Sequence, residues 1–369
     1  MLDVLIIVSS DPRYDSRSTK YLRSLLESGL KAKVIGVSTD GTHEDSDKMV
    51  RVPATLKGGK RFFLQFYQRI IPEVRNSPAR ILIAGDLFAL PPAIINKLCY
   101  STKRNPVKLV YDSKELYEEL PSLKRKQSSF LFWNLVEKSS IRFVDSVITV
   151  NQSIADMLKA KWHMRPTVIM NVPEKINGPG SNTKKSLDKI LLAFSGGLQQ
   201  GRGLHQLINL MSLLPENYEL YFIGDGILRN ELESEATLLN LSNRVHFKGK
   251  VKSTEVIGEL AKAHLGIYLM ENAGLCHYLA LPNKLFQYIA AGLPTIVPDF
   301  PEMANIVNKF QVGTVIDPTN LREAAEKILE LTHDKAFYMK LVENCEKATK
   351  VLNWEVEKEK FLSLVQSLI

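Results

Sequence analysis

Residues 193–208 read AFSGGLQQGRGLHQLI, which is a short apolar run, a loop with four glycines and the start of a helix with apolar spacing. The glycines let backbone amides approach an anion, and the N-terminus of the helix adds about half a positive charge. Arg202 supplies a guanidinium that can donate two parallel hydrogen bonds to a phosphate. Tight turns are the alternative use of such glycines. The stretch predicts an α/β fold with a phosphate-binding loop after a strand.

The same alternation of short apolar runs and helical segments continues on both sides of this loop. Such alternation predicts parallel sheets that are covered by helices on both faces. The predicted strands are Leu2–Val8, Lys33–Val37, Ile81–Ala84, Val107–Tyr111 and Ser146–Val150 in the first half, and Ile190–Phe194, Leu220–Ile223, Val245–Phe247, Leu265–Leu269, Thr295–Val297 and Thr314–Ile316 in the second.

The alternation is interrupted once, in a stretch that is rich in Pro, Gly, Asn, Ser and Lys, and this stretch predicts a linker over residues 173–188. We therefore expect two Rossmann-like domains that face each other across a cleft, over residues 1–172 and 189–350. The last segment, 351–369, has helical apolar spacing and is expected to return to the N-terminal domain.

Charge is unevenly distributed over the 369 residues, whose net charge is +8. Residues 1–170 contain 27 Lys and Arg against 17 Asp and Glu, whereas the remainder contains 21 against 23. A basic half indicates an anionic partner, and nucleic acid, an anionic membrane and a phosphorylated substrate all fit this charge. No recognised nucleic-acid motif accompanies it.

Two segments of the basic half combine cations with aromatic residues, namely 57–75 and 124–133. Basic amphipathic helices with aromatic side chains bind anionic lipid, and we predict a peripheral membrane contact. Packing of the aromatic residues into the core is the alternative. No apolar window approaches membrane-spanning length, no secretory signal is recognised and the three cysteines lie far apart, so the expected location is the cytoplasm, at the inner face of the membrane.

Residues 280–299, ALPNKLFQYIAAGLPTIVPD, predict a helix of about ten residues with Pro282 at its first position and Gly292 just past its end. Lys284, Gln287 and Tyr288, at i, i+3 and i+4, share one face of this helix. A cation near a helix N-terminus, with an amide one turn later, suits a diphosphate that has a ribose beside it.

The order of motifs resembles that of the family-4 retaining glycosyltransferases of GT-B fold, over nearly the whole chain. The matching segments are DPRYDSR, LVYDSKELYEELP, VDSVITVNQSI, VIMNVPE, SGGLQQGRGL, FIGDG, VHFKGKV and LPNKLFQYIAAGLPTIV.

This resemblance implies a UDP- or GDP-linked sugar donor on the C-terminal domain, and a glycan or lipid-linked acceptor on the N-terminal domain, in cell-surface polysaccharide synthesis. It implies no cofactor and no metal, because basic side chains offset the charge of the leaving diphosphate. The implied donor-binding residues are Gly196, Gly197, Arg202, Gly224, Lys250, Val251, Asn283, Lys284 and Gln287, and the implied catalytic residues on the acceptor side are Asp112, Lys114 and Glu115.

Three positions depart from the family pattern. Many relatives have Glu where Gln287 stands, a Glu where Leu279 stands, and His where Lys114 stands. These departures keep a second hypothesis open, a catalytically silent homologue that acts as a partner or scaffold. An epimerase of UDP-sugars is a third alternative. A dehydrogenase is the least supported class, because neither glycine loop completes the GxGxxG fingerprint.

Overall fold

The computed structural model describes residues 1–38, 40–54, 56, 59–120, 127–175 and 186–369, except for the side chain of Lys60. The chain divides into two compact units. The first comprises Met1–Asn171 and Glu357–Ile369, and the second comprises Val172–Val356. Residues 176–185 of the predicted linker lie outside the described residues.

An eight-stranded sheet forms the centre of the first unit, within the described part of the chain. The inner residues of its strand β1, Val4–Ile7, are almost completely buried, as expected for a strand that is covered on both faces. β1 pairs in parallel with β2 on one side and with β5 on the other. In spatial order the strands are β3 (Glu44–Asp45), β4 (Met49–Pro53), β2 (Ala32–Ser38), β1 (Leu2–Ile7), β5 (Ala79–Ala84), β6 (Lys108–Ser113), β7 (Ser146–Thr149) and β8 (Thr167–Val168).

A six-stranded parallel sheet forms the centre of the second unit. Its first strand in the chain, β9, lies between β10 and β12, so the chain order reverses direction there. Ligands of such sheets bind beyond the carboxyl ends of the strands at this reversal, where the loop after β9 begins. In spatial order the strands are β11 (Val245–Gly249), β10 (Tyr218–Ile223), β9 (Ile190–Ser195), β12 (Leu265–Ile267), β13 (Thr295–Pro298) and β14 (Gly313–Ile316).

Helices connect the strands in both units, and their ends follow capping rules. Asp15 caps the first helix by accepting hydrogen bonds from the backbone N–H groups of Arg17 and Ser18. In chain order the helices are α1 (Ser16–Glu27), α2 (Gly59–Arg75), α3 (Leu90–Tyr100), α4 (Gln127–Ser140), α5 (Gln152–Trp162), α6 (Leu204–Met211), α7 (Arg229–Leu238), α8 (Val256–Leu260), α9 (Leu275–Tyr278), α10 (Asn283–Ala290), α11 (Pro301–Phe310), α12 (Leu321–His333), α13 (Lys335–Thr349) and α14 (Trp354–Gln366).

The last helix, α14, carries the chain back into the first unit. The ring of Phe361 stacks on that of Tyr21 with centroids 4.0 Å apart, and both side chains are buried. The carboxylate of Glu357 is completely buried and accepts a hydrogen bond from the backbone N–H of Met170. The predicted α/β fold with two Rossmann-like sheets and a returning C-terminal helix is therefore confirmed.

Within the described residues, no helix has both the length and the apolar character that crossing a bilayer requires.

Candidate functional site

Three loops meet at the carboxyl edge of the second sheet, one after each of the strands β9, β10 and β11. Gly196, Gly224 and Gly249 bring their backbones together there. A Cβ atom on Gly224 would lie 1.9 Å from the carbonyl oxygen of Gly196, and Gly224 forms an isolated bridge with Gly249. Gly196 and Gly224 have φ angles of +131° and +147°, which disfavour side chains, so the loops need glycine to approach this closely.

The two cations that the sequence singles out converge on Gly196. A Cβ atom on Gly196 would lie 2.9 Å from Nζ of Lys284 and 3.1 Å from Nη1 of Arg202. Both cationic groups thus lie within about 3.1 Å of one point at the mouth of the loop after β9. Arg202 reaches it from the glycine loop, and Lys284 reaches it from the first turn of α10.

Neither cation has an ion pair or a hydrogen bond among the described residues. Burial and the charge of Arg202 lower the pKa of Lys284 to about 7. Lys284 is also the second residue of α10, and the partial positive charge of a helix N-terminus disfavours a cation there. Two like charges and a helix terminus of the same sign, with no paired carboxylate in the described part of the chain, form a site that an anion would stabilise.

Aromatic rings hold the Lys284 ammonium in place. Its Nζ lies 4.8 Å from the ring centroid of Tyr268 and 5.7 Å from that of Phe194. Tyr268 follows β12 directly, and its hydroxyl contacts the sulfur of Met270. Such rings stabilise a cation while leaving its hydrogen atoms available, so Lys284 remains able to donate to a ligand.

The remaining residues that were predicted to bind the donor lie at the same edge of the sheet. The amide oxygen of Gln287 accepts a hydrogen bond from the hydroxyl of Ser195 at 3.3 Å, which places Gln287 against the last residue of β9. Asn283 is exposed at the start of α10, and Gly197 lies beside the backbone of Asp225. Lys250 is exposed and Val251 is half-buried, directly after β11.

The predicted ligand-binding face of α10 included Tyr288, and this prediction is wrong. Tyr288 is completely buried, and its hydroxyl donates to the backbone oxygen of Ile267 while accepting from the N–H of Ser195. Tyr288 follows Lys284 by four residues and Gln287 by one, but its ring packs against Gly266 of β12. Tyr288 therefore anchors α10 on β9 and β12 and so helps to fix Lys284.

In the first unit, Lys114 lies among carboxylates beyond the carboxyl end of β6. Its Nζ donates to Asp15 at 3.0 Å. Burial opposes the charged form, but the nearby carboxylates of Asp15, Asp112 and Asp86 outweigh it and raise the pKa of Lys114. Lys114 is half-buried, and Glu115 beside it is exposed.

The prediction that Asp112 lines the acceptor side is wrong, because its carboxylate is enclosed in a buried ion pair. Both oxygens accept from Arg17, at 2.7 and 3.0 Å, and the two side chains are 1% and 2% exposed. Asp112 lies within β6 rather than after it. Its role is to hold Arg17, which also donates to the backbone oxygen of Ile169.

Asp112→Asn is expected to destabilise the first unit by about 3 kcal/mol, because it leaves the Arg17 guanidinium buried without its counter-charge. Denaturant unfolding measures the change. Asp45→Asn is the matched control, since Asp45 is exposed and pairs with Lys33 at 3.2 Å. If Asp112→Asn lowers the free energy of unfolding by no more than Asp45→Asn does, the structural role of Asp112 is contradicted.

The basic aromatic segments pack differently from the prediction. Phe66 and Trp133 are buried, and the ring of Phe63 lies 4.7 Å from those of Phe88 and Trp133. These aromatic residues therefore form core between α2 and α4 instead of a lipid-facing stripe. The Lys124–Lys126 cluster and Lys57 lie outside the described residues.

Part of the second unit's sequence matches a known family model. Residues 181–350 match the family model of the glycosyl transferases group 1. One curated relative is a Campylobacter jejuni α-1,4-N-acetyl-D-galactosaminyltransferase that acts on an undecaprenol-linked glycan, 23% identical over 63% of each chain. The chain spans less than two thirds of the length of the curated relatives that it matches.

Solved structures share the fold over almost the full length. Sucrose-phosphate synthase from Thermosynechococcus elongatus superposes with a TM-score of 0.78, at 15% identity and 99% coverage of both chains. The Anabaena HepE protein in complex with UDP and glucose gives 0.74, at 15% identity and full coverage of both. The two-sheet architecture is that of the GT-B glycosyltransferases.

Over the ranges that the structure describes, no cluster of three His, Cys, Asp or Glu side chains is placed to hold a metal ion. That the chain requires no metal and no cofactor stays a prediction.

Proposed function

We propose that the chain transfers a sugar, with retention of anomeric configuration, from a UDP- or GDP-linked donor to a glycan or lipid-linked acceptor in cell-surface polysaccharide synthesis. The observation that carries the proposal is the convergence of Arg202 and Lys284 on Gly196 without an anionic partner among the described residues. The resemblance to family-4 enzymes supports retention. The solved complex of the Anabaena protein with UDP and glucose supports a nucleotide-linked donor.

The diphosphate of the donor would occupy the point where the two cations meet. When the bond to the sugar breaks, negative charge grows on the leaving diphosphate, and two fixed cations and a helix terminus stabilise that charge. This stabilisation is the role that a divalent metal has in other transferases, so we propose that the reaction proceeds without one. Gly196, Gly197 and Gly224 let backbone approach the same phosphates.

The nucleoside would extend along the carboxyl edge of the sheet, away from the two cations. Gln287 lies one turn after Lys284 and presents an amide to the ribose, while Asn283 borders the same helix end. Backbone at Lys250 and Val251 would face the base. A neutral amide hydrogen-bonds a hydroxyl more weakly than a carboxylate does, so we expect modest ribose affinity.

Lys114 and Glu115 would contact the acceptor. Asp15 holds the Lys114 ammonium, and a charged group so placed suits an acceptor that carries phosphate, as lipid-linked glycans do. This assignment rests on their place at the carboxyl edge of the first sheet.

A panel of UDP- and GDP-sugars, incubated with the purified protein, tests the proposal. Hydrolysis of a donor, or transfer from it, supports the enzyme. Thermal stabilisation without turnover supports the silent homologue, which Gln287 and Lys114 favour. Gln287→Glu is the companion variant, because activity that appears only with the carboxylate would show that the natural chain has lost catalysis. If no nucleotide and no nucleotide sugar binds, both the enzyme and the silent nucleotide-binding homologue are ruled out.

We also propose that the first unit contacts an anionic membrane at the cytoplasmic face, through side chains other than those predicted. Leu131, Phe132 and Leu135 of α4 are 58%, 57% and 66% exposed, and Leu64 of α2 is 62% exposed. Arg61, Lys138 and Arg142 are exposed basic residues on or next to these helices. Apolar side chains flanked by cations match a surface of anionic lipid, where each cation contributes about 1 kcal/mol.

Replacing Phe132 and Leu135 by serine removes exposed apolar area. We therefore expect the fraction of protein that sediments with phosphatidylglycerol vesicles to fall at least about fivefold. Leu238→Ser, at an 82% exposed position of the second unit, is the matched control. Equal sedimentation of wild type and double variant, or equal binding to neutral phosphatidylcholine vesicles, would contradict the membrane contact.

A further inference from the structure

His277 lies against the glycine loop that carries Arg202. It belongs to the short helix α9, and its ring atom Cε1 lies 3.3 Å from the place where a Cβ on Gly201 would be. The backbone N–H of Glu271 donates to the carbonyl of Gly201 at 3.2 Å, so the segment before α9 is attached to the same loop. The imidazole is half-buried, next to the anion site.

One ring nitrogen of His277 is fixed by the backbone. Nδ1 lies 3.0 Å from the carbonyl oxygen of Glu271. A carbonyl oxygen only accepts hydrogen bonds, so Nδ1 must carry the proton, and in the neutral ring Nε2 then has only a lone pair. The carboxylate of Glu271 accepts from the amide of Gln206 at 3.2 Å, which steadies this turn.

The second ring nitrogen, Nε2, has no hydrogen bond or ion pair with any residue in the part of the chain that the structure describes. In the neutral ring Nε2 cannot bind the diphosphate proposed above, because ionised phosphate oxygens also only accept hydrogen bonds. The partner of a neutral Nε2 must be a donor, and a hydroxyl is the donor that a sugar presents in this position.

We infer that His277 is a specificity-determining residue whose Nε2 accepts a hydrogen bond from a hydroxyl of the donor sugar. The inference rests on the proposed function, since the sugar is the group attached to the diphosphate at Arg202 and Lys284. The hexose lies beside Gly201, with the backbone of Glu271 holding the imidazole in the accepting tautomer.

His277→Asn tests this assignment, because the amide nitrogen of asparagine occupies the place of Nδ1 and keeps the bond to Glu271 while Nε2 is removed. We expect the affinity for UDP-glucose or GDP-mannose, whichever the wild type binds, to fall about tenfold. We expect the affinity for the matching UDP or GDP to change less than twofold. Donors that lack single sugar hydroxyls give the second readout, since one of them should bind the wild type and His277→Asn equally.

Equal loss of affinity for the free nucleotide and for the nucleotide sugar would show that His277 contacts the diphosphate, and would overturn the inference. Unchanged affinity for both would also overturn it. Arg202→Met separates this failure from failure of the proposed function. If Arg202→Met binds the nucleotide as tightly as the wild type does, the proposed diphosphate site is wrong. If Arg202→Met loses nucleotide affinity while His277→Asn changes neither affinity, only the sugar contact is rejected. Thermal unfolding confirms that each variant is folded.

Discussion

Lys284→Met is expected to lower kcat/KM for the nucleotide sugar by about 10²- to 10³-fold, because one of the two cations that stabilise the leaving diphosphate is removed. The same variant is expected to stabilise the ligand-free protein by about 1 kcal/mol, since it replaces a poorly solvated cation beside Arg202 with an apolar side chain. For a unit of this size, that gain corresponds to a melting temperature about 2–4 °C higher. Donor turnover and calorimetric unfolding measure the two effects.

The opposite directions of these effects distinguish a binding residue from a structural one. Lys347→Met is the matched control, because Lys347 is 63% exposed and pairs only with Glu343 among the described residues. The control should change neither quantity. A Lys284→Met variant that is less stable and retains full turnover would contradict the assignment.

Nucleotide-sugar affinity is expected to fall about 20-fold between pH 6.5 and pH 8.5. Burial and Arg202 hold the pKa of Lys284 at about 7 in the free protein, and a bound diphosphate would raise it. Below pH 7 the ammonium is already charged, so binding is strongest there. Above pH 7 the free protein must take up a proton on binding, and the affinity falls until the pH reaches the raised pKa of the complex. Isothermal titration calorimetry in two buffers of different ionisation enthalpy measures this uptake.

Lys284→Arg is the control for the pH dependence, because an arginine does not titrate in this range. It should remove the proton uptake, which we expect to reach about one proton per nucleotide sugar near pH 8 in the wild type. A nucleotide sugar is the proper ligand, since its diphosphate lacks the terminal ionisation of UDP. Affinity that is independent of pH, or the same proton uptake in Lys284→Arg, would contradict the proposed mechanism.

The sheets were predictable because their central strands are continuous apolar runs. Leu2–Ile7 and Ile190–Ser195 are covered on both faces, and strands buried in this way are recognisable in the sequence as continuous apolar runs. The strands that were not predicted lack a continuous apolar run. β4 carries the buried Arg51 in its centre, and β3 and β8 have two residues each, so their pairing depends on neighbours that the sequence pattern does not reveal.

The donor site was partly predictable for the same kind of reason. Glycines after a strand and a lysine after Pro282 identify loop and helix termini, so the local pattern indicated Arg202 and Lys284 separately as phosphate contacts. Their pairing on one diphosphate was implied by the family resemblance. Tyr268 and His277 were missed, because their contacts with the site come from loops that only the fold brings there.

The error at Asp112 has a different origin. The pattern places an aspartate near the end of β6 but contains no sign of its partner Arg17, which lies 95 residues earlier in the chain. A short polar residue at the end of a strand fits a ligand site and a buried ion pair equally well. Only the side-chain burial distinguishes the two.

Calorimetric titration of UDP and of GDP into the wild type and into the Arg202→Met/Lys284→Met double variant tests the central claim, that these two cations bind one diphosphate. The account predicts that one of the nucleotides binds the wild type and that the double variant loses at least about 10³-fold in affinity while staying folded. Binding of that nucleotide to the double variant with the affinity of the wild type would contradict it.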